Sequence, residues 1–431
     1  MLPGYFDLLI SLSIFFITLA LVIFRPYRLG IGIYAMAGGA ITLILGLVTL
    51  KELELIWEIT WNSTFTFVAI IIFSMVLEES GFFAYMGIKI ASAARNNRSS
   101  LFLILCVFTA VIAAFFANDG AILVMTPVTF LMLSSMGFKN EEMMPYLISV
   151  SFISDIGSSP FMISNLVNII GSSYFSISFT AYAVVMILPD IGAVVISIAI
   201  LYMIFRKDLI GTFVPAAKPD ETLIVRDRAI FYLAIPFTVA LMITYSVTGI
   251  YNVPVAFVAV PAVAGLFAFA WIRKRIDAKK ILVEAPWQVV IFAFGIFIVV
   301  FGVGSSGVVG YISGVLLAIA KFQEPLSLIL EGIFIVPFTS VMNNLPATML
   351  TSLAVGSSHL SSGYVYELIL ANDIGTKMSP IGSLATLLWI HNLSVRHGIA
   401  ISAKEYMRLG LLVCIPALIV ASLFLYFSLI L

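Results

Sequence analysis

Apolar runs about as long as a bilayer is thick recur along this chain, and they limit it to one broad class of fold. Tyr5 to Phe24, Gly30 to Leu50 and Leu409 to Leu431 each reach about 20 residues, and the last two contain no charged residue. Lipid offers no partner to an open backbone N–H or C=O, so only a helix or a closed barrel can cross it. The runs are continuous rather than alternating, which excludes the barrel. With 62% hydrophobic and 10% charged residues, the chain also lacks the polar groups to cover a water-facing surface. Net charge is zero, so nothing supports nucleic-acid binding. The first run has no basic segment ahead of it and reads as a span rather than a leader. Cys106 and Cys414 stand alone in apolar stretches and read as small core residues, not as a disulfide or a metal site.

Apolar runs between charged breaks give about 10 spans, near 5–24, 30–50, 62–88, 145–170, 179–205, 229–248, 254–271, 286–303, 364–392 and 409–431. Two further stretches, 100–136 and 325–355, are interrupted midway by Asn118-Asp119-Gly120 and Asn343-Asn344-Leu345-Pro346. Each is too long for one straight span, so both read as re-entrant helical hairpins with polar tips inside the protein. Lys and Arg cluster at 25–28, 89–98, 206–228, 273–280 and 396–408, while 249–253 and 356–363 have none. This bias puts the clusters in the cytoplasm and both termini outside it, consistently if the hairpins do not cross. All five Trp fall near span ends, as an interfacial belt would require.

The sequence repeats itself. Ser154-Asp155-Ile156-Gly157-Ser158-Ser159 parallels Asn372-Asp373-Ile374-Gly375-Thr376-Lys377, and a polar hairpin tip precedes each. An odd number of crossings separates the copies, so the second is inverted, as in many secondary transporters. The expected architecture is a first repeat over 1–205 (hairpin 100–136, broken helix 145–170), a cytoplasmic linker over 206–228, and a second repeat over 229–431 (hairpin 325–355, broken helix 364–392).

The polar interruptions are the candidate site. Gly157 and Pro160, like Gly375 and Pro380, unwind their helices and free backbone groups for a ligand. The expected substrate-binding residues are Asn118, Asp119, Gly157, Ser158, Ser159, Asn165, Asn343, Asn344, Gly375 and Thr376. Asp155, Asp373 and Lys377 are the expected proton-coupling groups. A charge at the centre of a membrane helix costs roughly 3 kcal/mol, so Asp119, Asp155, Asp190, Asp373 and Lys377 together would cost on the order of 15 kcal/mol if immersed. Packing does not justify that cost; a water-accessible pathway with mutual pairing does. Plainer readings stand beside it. Asp155 and Asp373 can cap half-helices, Asp190 can stabilise the kink at Pro189, and Lys377 can pair locally with Asp373 four residues earlier. Glu78, Glu79 and His391 read as interface residues, and the glycines from Gly302 to Gly314 as close helix packing.

Phe116-Ala-Asn-Asp-Gly-Ala-Ile-Leu-Val-Met-Thr-Pro127, Ser164-Asn-Leu-Val-Asn168, Met342-Asn-Asn-Leu-Pro346 and the run from Lys377 to His391 resemble the arsenical pump membrane subunit, the arsenite permease of the ion transporter superfamily. Leu77 to Phe83 and Ala285 to Ile291 are similar as well. The resemblance implies a multi-pass inner-membrane protein that exports arsenite or antimonite, by proton exchange alone or with a soluble ATPase subunit. It also implies a scaffold that can form homodimers, and no cofactor. The chain departs from the family pattern at Asp155-Ile-Gly-Ser-Ser-Pro160 and at Thr376. Arsenite near neutral pH is mainly the uncharged trihydroxide, which Asn, Ser, Thr and backbone groups can hold by hydrogen bonds. Competing readings are a sodium-coupled carboxylate carrier or a sodium/proton antiporter on the same architecture. The tips lack the Ser-Asn-Thr pattern of the former, and Lys377 puts a positive charge where sodium would sit. The chain has no Gly-x-Gly-Asp, His-Glu-x-x-His or Gly-x-Ser-x-Gly motif, which argues against an intramembrane enzyme.

Overall fold

The computed structural model describes residues 3–214 and 224–431; residues 215–223 of the expected linker fall outside that set. The described residues are helical throughout, with one isolated bridge between Asn97 and Thr212. Eight helical stretches among them are long and apolar enough to cross a membrane. In chain order the helices are α1 (Pro3–Phe24), α2 (Ile31–Ile44), α3 (Leu50–Ser80), α4 (Phe82–Ala93), α5 (Arg98–Phe116), α6 (Asn118–Ser135), α7 (Asn140–Ile156), α8 (Leu166–Tyr174) and α9 (Phe179–Phe205). They continue as α10 (Arg228–Ile250), α11 (Ala256–Arg273), α12 (Ala278–Glu284), α13 (Trp287–Val303), α14 (Val309–Ile319), α15 (Leu326–Met342), α16 (Asn344–Ser358), α17 (Ser362–Ile374), α18 (Leu384–His397) and α19 (Ala403–Ile430).

Two of the boundaries that differ from the hydropathy reading do so for a clear local reason. α3 begins at Leu50 rather than near residue 62 because Thr49 and Glu52 form a reciprocal cap: each side chain accepts the other's backbone N–H. α3 and α4 are separate helices because Gly81, at φ 90, turns the chain between them. A Cβ there would also stand 2.0 Å from the carbonyl oxygen of Ile224, so glycine meets both demands.

The long unbroken helices form the periphery. α10 and α11 expose apolar side chains such as Tyr232, Ile235 and Phe257 along their length, as lipid-facing helices do. α2 packs along α13, and α11 along α3. The interrupted pairs α5–α6, α7–α8, α15–α16 and α17–α18 hold the buried polar residues, with α9 and α19 lying along each other beside them. The basic loops converge on one end of the bundle. Phe213 donates to the Asn96 carbonyl, Arg226 N–H to Ser80, and Glu79 is held by both Arg226 at 2.8 Å and Lys280 at 2.7 Å.

Trp57, Trp271 and Trp287 are well exposed, as a belt requires, but Trp389 is buried against Tyr406 and belongs to the core. The glycine run also divides. A Cβ on Gly302 would press on Thr42, whereas Gly310 and Gly314 meet nothing nearby, so close packing within the chain explains only part of the run.

Candidate substrate and coupling site

Each broken helix frees backbone groups that must find partners in a dry interior, and the sequence supplies them locally. At the first hairpin tip Ala117 takes φ 61, and Ser74 donates to the freed Phe116 carbonyl at 2.9 Å. At the second tip Asn343 takes φ 77 and accepts from Leu345 N–H, capping α16, while its amide donates to Ile381. Between α7 and α8, the Asn168 amide donates to the Ser158 carbonyl at 2.7 Å and to that of Phe161 at 3.2 Å, and the Tyr182 hydroxyl to that of Ser159. Asn165 caps α8 by accepting from Val167 N–H, so the cap is not Asp155. Ser379 serves the second break, accepting from Ile381 and Gly382. Gly410 of α19 lets that unwound strand come close, since a Cβ there would stand 2.2 Å from the carbonyl oxygen of Lys377.

The two breaks then exchange side chains. Lys377 does not pair with Asp373; its ammonium reaches across to Asp155 at 2.7 Å, and both groups are fully buried. Its other donors go to Thr386 at 2.7 Å and Ser151 at 3.3 Å, which fills the three positions of an ammonium. The second oxygen of Asp155 accepts from Asn118, and Thr376 donates to the one that faces Lys377. Asp373 reaches the opposite way: its oxygens accept from the Asn165 amide at 2.6 Å and the Ser159 hydroxyl at 3.0 Å. Ser158 accepts a longer contact from Asn165. Asp190 accepts from Ser159 N–H, so it stands beside this cluster rather than acting only at the Pro189 kink.

Asp119, Asn165, Leu166, Asn344, Leu345, Ser383 and Leu384 line one small cavity, about 10 Å³ in volume. These are the first residues of α6, α8, α16 and α18, so four half-helix N-termini converge on one point. Each presents unpaired N–H groups and a partial positive charge. A larger cavity of about 240 Å³ adjoins it, sharing Asp119, Val289 and Leu384, and extends past Ser74 to Glu78 and Glu284 near the basic end. Asn118, Ser158, Ser159, Asp155, Asp373, Thr376 and Lys377 thus join one buried network, and Asp119, Asn165 and Asn344 face the small cavity. Gly157 and Gly375 contribute clearance: Cβ atoms there would press on Ala110 and Thr339. Asn343 differs from the rest, because its side chain is taken up by backbone groups, accepting from Leu345 N–H in the tip and donating to the Ile381 carbonyl of the second break. Ser151, Thr386 and Asp190 were not among the expected site residues; of these, only Asp190, a carboxylate inside an apolar run, carried a signal in the sequence.

A helical membrane protein with four broken-helix termini meeting at buried charged groups has the build of a membrane transporter. The chain belongs to the arsenical pump membrane protein family, whose profile matches residues 10–429. It is 35% identical to an arsenical pump membrane protein of Escherichia coli over 417 residues, covering 96% of this chain and 97% of that protein. The counterpart of the same name from Yersinia enterocolitica is also 35% identical at the same coverage. In fold, the chain resembles the crystal structure of the Alcanivorax borkumensis YdaH transporter, with a TM-score of 0.54 at 12% identity over 88% of this chain and 90% of that one.

Proposed function

We propose that this protein exports arsenite and antimonite across the inner membrane in exchange for protons, conferring arsenical resistance. Family membership supports the arsenical substrate. The convergence of four half-helix N-termini on Asp119, Asn165 and Asn344 carries the chemical argument. An uncharged trihydroxide both donates and accepts hydrogen bonds. Helix N-termini offer N–H donors, and the Asp119 carboxyl and the Asn side-chain carbonyls offer acceptors. The family's substrates are trivalent, but trapping by thiolates has no basis here, because Cys106 and Cys414 are buried in separate helices. The larger cavity reaches Asp119 from the basic end, which the Lys/Arg bias assigns to the cytoplasm.

Coupling rests on Asp155 and Asp373. Substrate and proton compete for the network, in which Lys377 lies against Asp155. One proton moving down 100 mV releases about 2.3 kcal/mol, and a tenfold gradient takes about 1.4 kcal/mol. One-for-one exchange therefore sustains a gradient of some tens-fold per 100 mV without ATP. The two halves are read as inverted repeats that rock about this site, in a scaffold able to dimerise and to accept a soluble ATPase subunit. The test is arsenite uptake into everted vesicles under an imposed proton gradient. Uptake should collapse with an uncoupler, and Asp155→Asn or Lys377→Met should abolish accumulation. Uptake that needs ATP and ignores the uncoupler would overturn proton exchange.

A further inference from the structure

A second pair of carboxyl groups lies sealed from solvent, outside the network around Lys377. Glu331 on α15 and Glu367 on α17 are both fully buried, where these helices pack on each other and on α19. Gly332 sets their closeness: a Cβ there would stand 2.2 Å from Oε1 of Glu367, so that carboxyl lies against the α15 backbone beside Glu331. Ser422 of α19 donates to the same oxygen at 2.8 Å. The other oxygen of Glu367 and both oxygens of Glu331 have no hydrogen-bond partner. Tyr364 on α17 is also close to Glu331, and it is not cationic.

Burying an ionised carboxylate without a partner is among the costliest things a protein interior can do, and such a group takes up a proton instead. An apolar pair would fill this volume at no such cost. The location suggests a use. α13 starts beside the basic end and α15 starts after the chain has crossed to the other end, so Glu331, near the start of α15, lies in the opposite half. Glu367 precedes Asp373 by six residues on α17, about 9 Å along its axis. Beyond it a polar bridge joins α15, α17 and α16: Thr339 donates to Asn372 at 2.6 Å, and Asn372 to Thr351 at 3.1 Å.

We infer that Glu331 and Glu367 form a second proton-binding site, loaded from the face opposite the basic loops, that passes its proton to Asp373. This rests on the proton-exchange reading above. The proton leaves water for a glutamate carboxylate and then moves to the aspartate carboxylate, with no other bond made or broken.

The variants are Glu331→Gln, Glu367→Gln and the matching Asp substitutions. Gln keeps the shape and cannot titrate, while Asp loses a methylene and can. Everted vesicles report uphill arsenite uptake driven by a proton gradient. Arsenite–arsenite exchange at equal concentrations reports the carrier without net proton movement, and shows that each variant is folded. The Gln variants should lose most of the tens-fold accumulation that one proton sustains per 100 mV, keep exchange, and lose the protonated-carboxyl band seen by infrared difference spectroscopy on a pH step. The Asp variants should recover accumulation. Gln variants that accumulate arsenite like the wild type, or Gln outperforming Asp in both assays, would overturn the inference and leave proton exchange standing. Wild-type accumulation indifferent to the uncoupler would overturn proton exchange itself, and this inference with it.

Discussion

Asp155 and Asp373 occupy matching positions in the two broken helices, yet their surroundings differ in kind. Asp155 faces an ammonium at 2.7 Å with Asn118 and Thr376 in support. Asp373 is held by an amide and a hydroxyl, from Asn165 and Ser159. The same short motif thus yields one carboxylate whose charge is matched and another whose partners are neutral. The Asp155 charge is balanced by Lys377, whereas a charge on Asp373 would meet only neutral partners in the same dry interior. On the proton-exchange proposal both aspartates are coupling groups, and the difference in their partners is what separates their roles.

The largest effect should come from breaking the matched pair on one side. Lys377→Met or Asp155→Asn leaves a buried charge without its partner, which costs about 3–5 kcal/mol. Thermal unfolding in detergent should show that loss, together with abolished accumulation. The double variant Asp155→Asn with Lys377→Met should recover most of the stability and none of the accumulation. Equal stability of the single and double variants would mean that the pair carries no charge in the folded protein.

Asp373→Asn should be milder. The new carbonyl still accepts from the Asn165 amide, while the new NH2 group donates to the Ser159 hydroxyl, which turns from donor to acceptor, so the expected cost is about 1 kcal/mol, in line with one altered hydrogen bond. Accumulation should still fail, because the titrating group is gone. A stability loss matching that of Asp155→Asn would erase the distinction between the two aspartates.

The distinction was only partly readable in the sequence. The Asn118, Asn343, Asp155 and Asp373 breaks stood out because a polar residue next to Gly or Pro interrupts an apolar run, and such a run has to open there. The partners did not stand out. Lys377 lies four residues after Asp373, so local pairing was one open reading, but the segment after Ile374 unwinds into 3₁₀ turns and the side chain reaches Asp155 instead. Which residues meet across two interrupted helices depends on tertiary packing, and no spacing rule encodes it. Ser151 and Thr386 were invisible for the same reason, each being one of many hydroxyls. Glu331 and Glu367 were missed among the buried charges although each interrupts an apolar run, and only packing shows that they meet. The start of α3 was misplaced near residue 62, because hydropathy was followed where the cap formed by Thr49 and Glu52 sets the boundary.

Ser159→Ala and Asn165→Ala remove the neutral donors one at a time, and each should cost about 1–2 kcal/mol. Asn165→Ala should cost more than Ser159→Ala, since Asn165 also caps α8. Both should raise the arsenite concentration needed for half-maximal exchange, with Asn165→Ala the larger because that residue also lines the small cavity. Equal half-saturation in wild type and Asn165→Ala would remove the cavity from the binding site.

The smallest effect is expected at Asp227, another matched carboxylate that tests whether depth, and not pairing alone, sets the cost. Asp227 precedes α10, accepts from the N–H groups of Ala229 and Ile230, and meets Arg273 at 2.7 Å. The Arg273 side chain is 36% exposed, unlike Lys377 at 0%. Burial pushes the Asp227 carboxyl up, but the hydrogen bonds from Arg273 and the two N–H groups outweigh it and hold the group below the usual carboxylate range. A lowered folded value means that the stabilisation is complete above the unfolded value of about 3.9 and fades as pH falls below it toward the folded value. Unfolding temperatures of wild type and Asp227→Asn should therefore differ near neutral pH and converge in acid. Asn keeps the cap, so the difference should stay within about 1 kcal/mol. A loss as large as that of Asp155→Asn would show that pairing itself, irrespective of depth, sets the cost, and that the Asp155–Lys377 pair owes nothing to its burial.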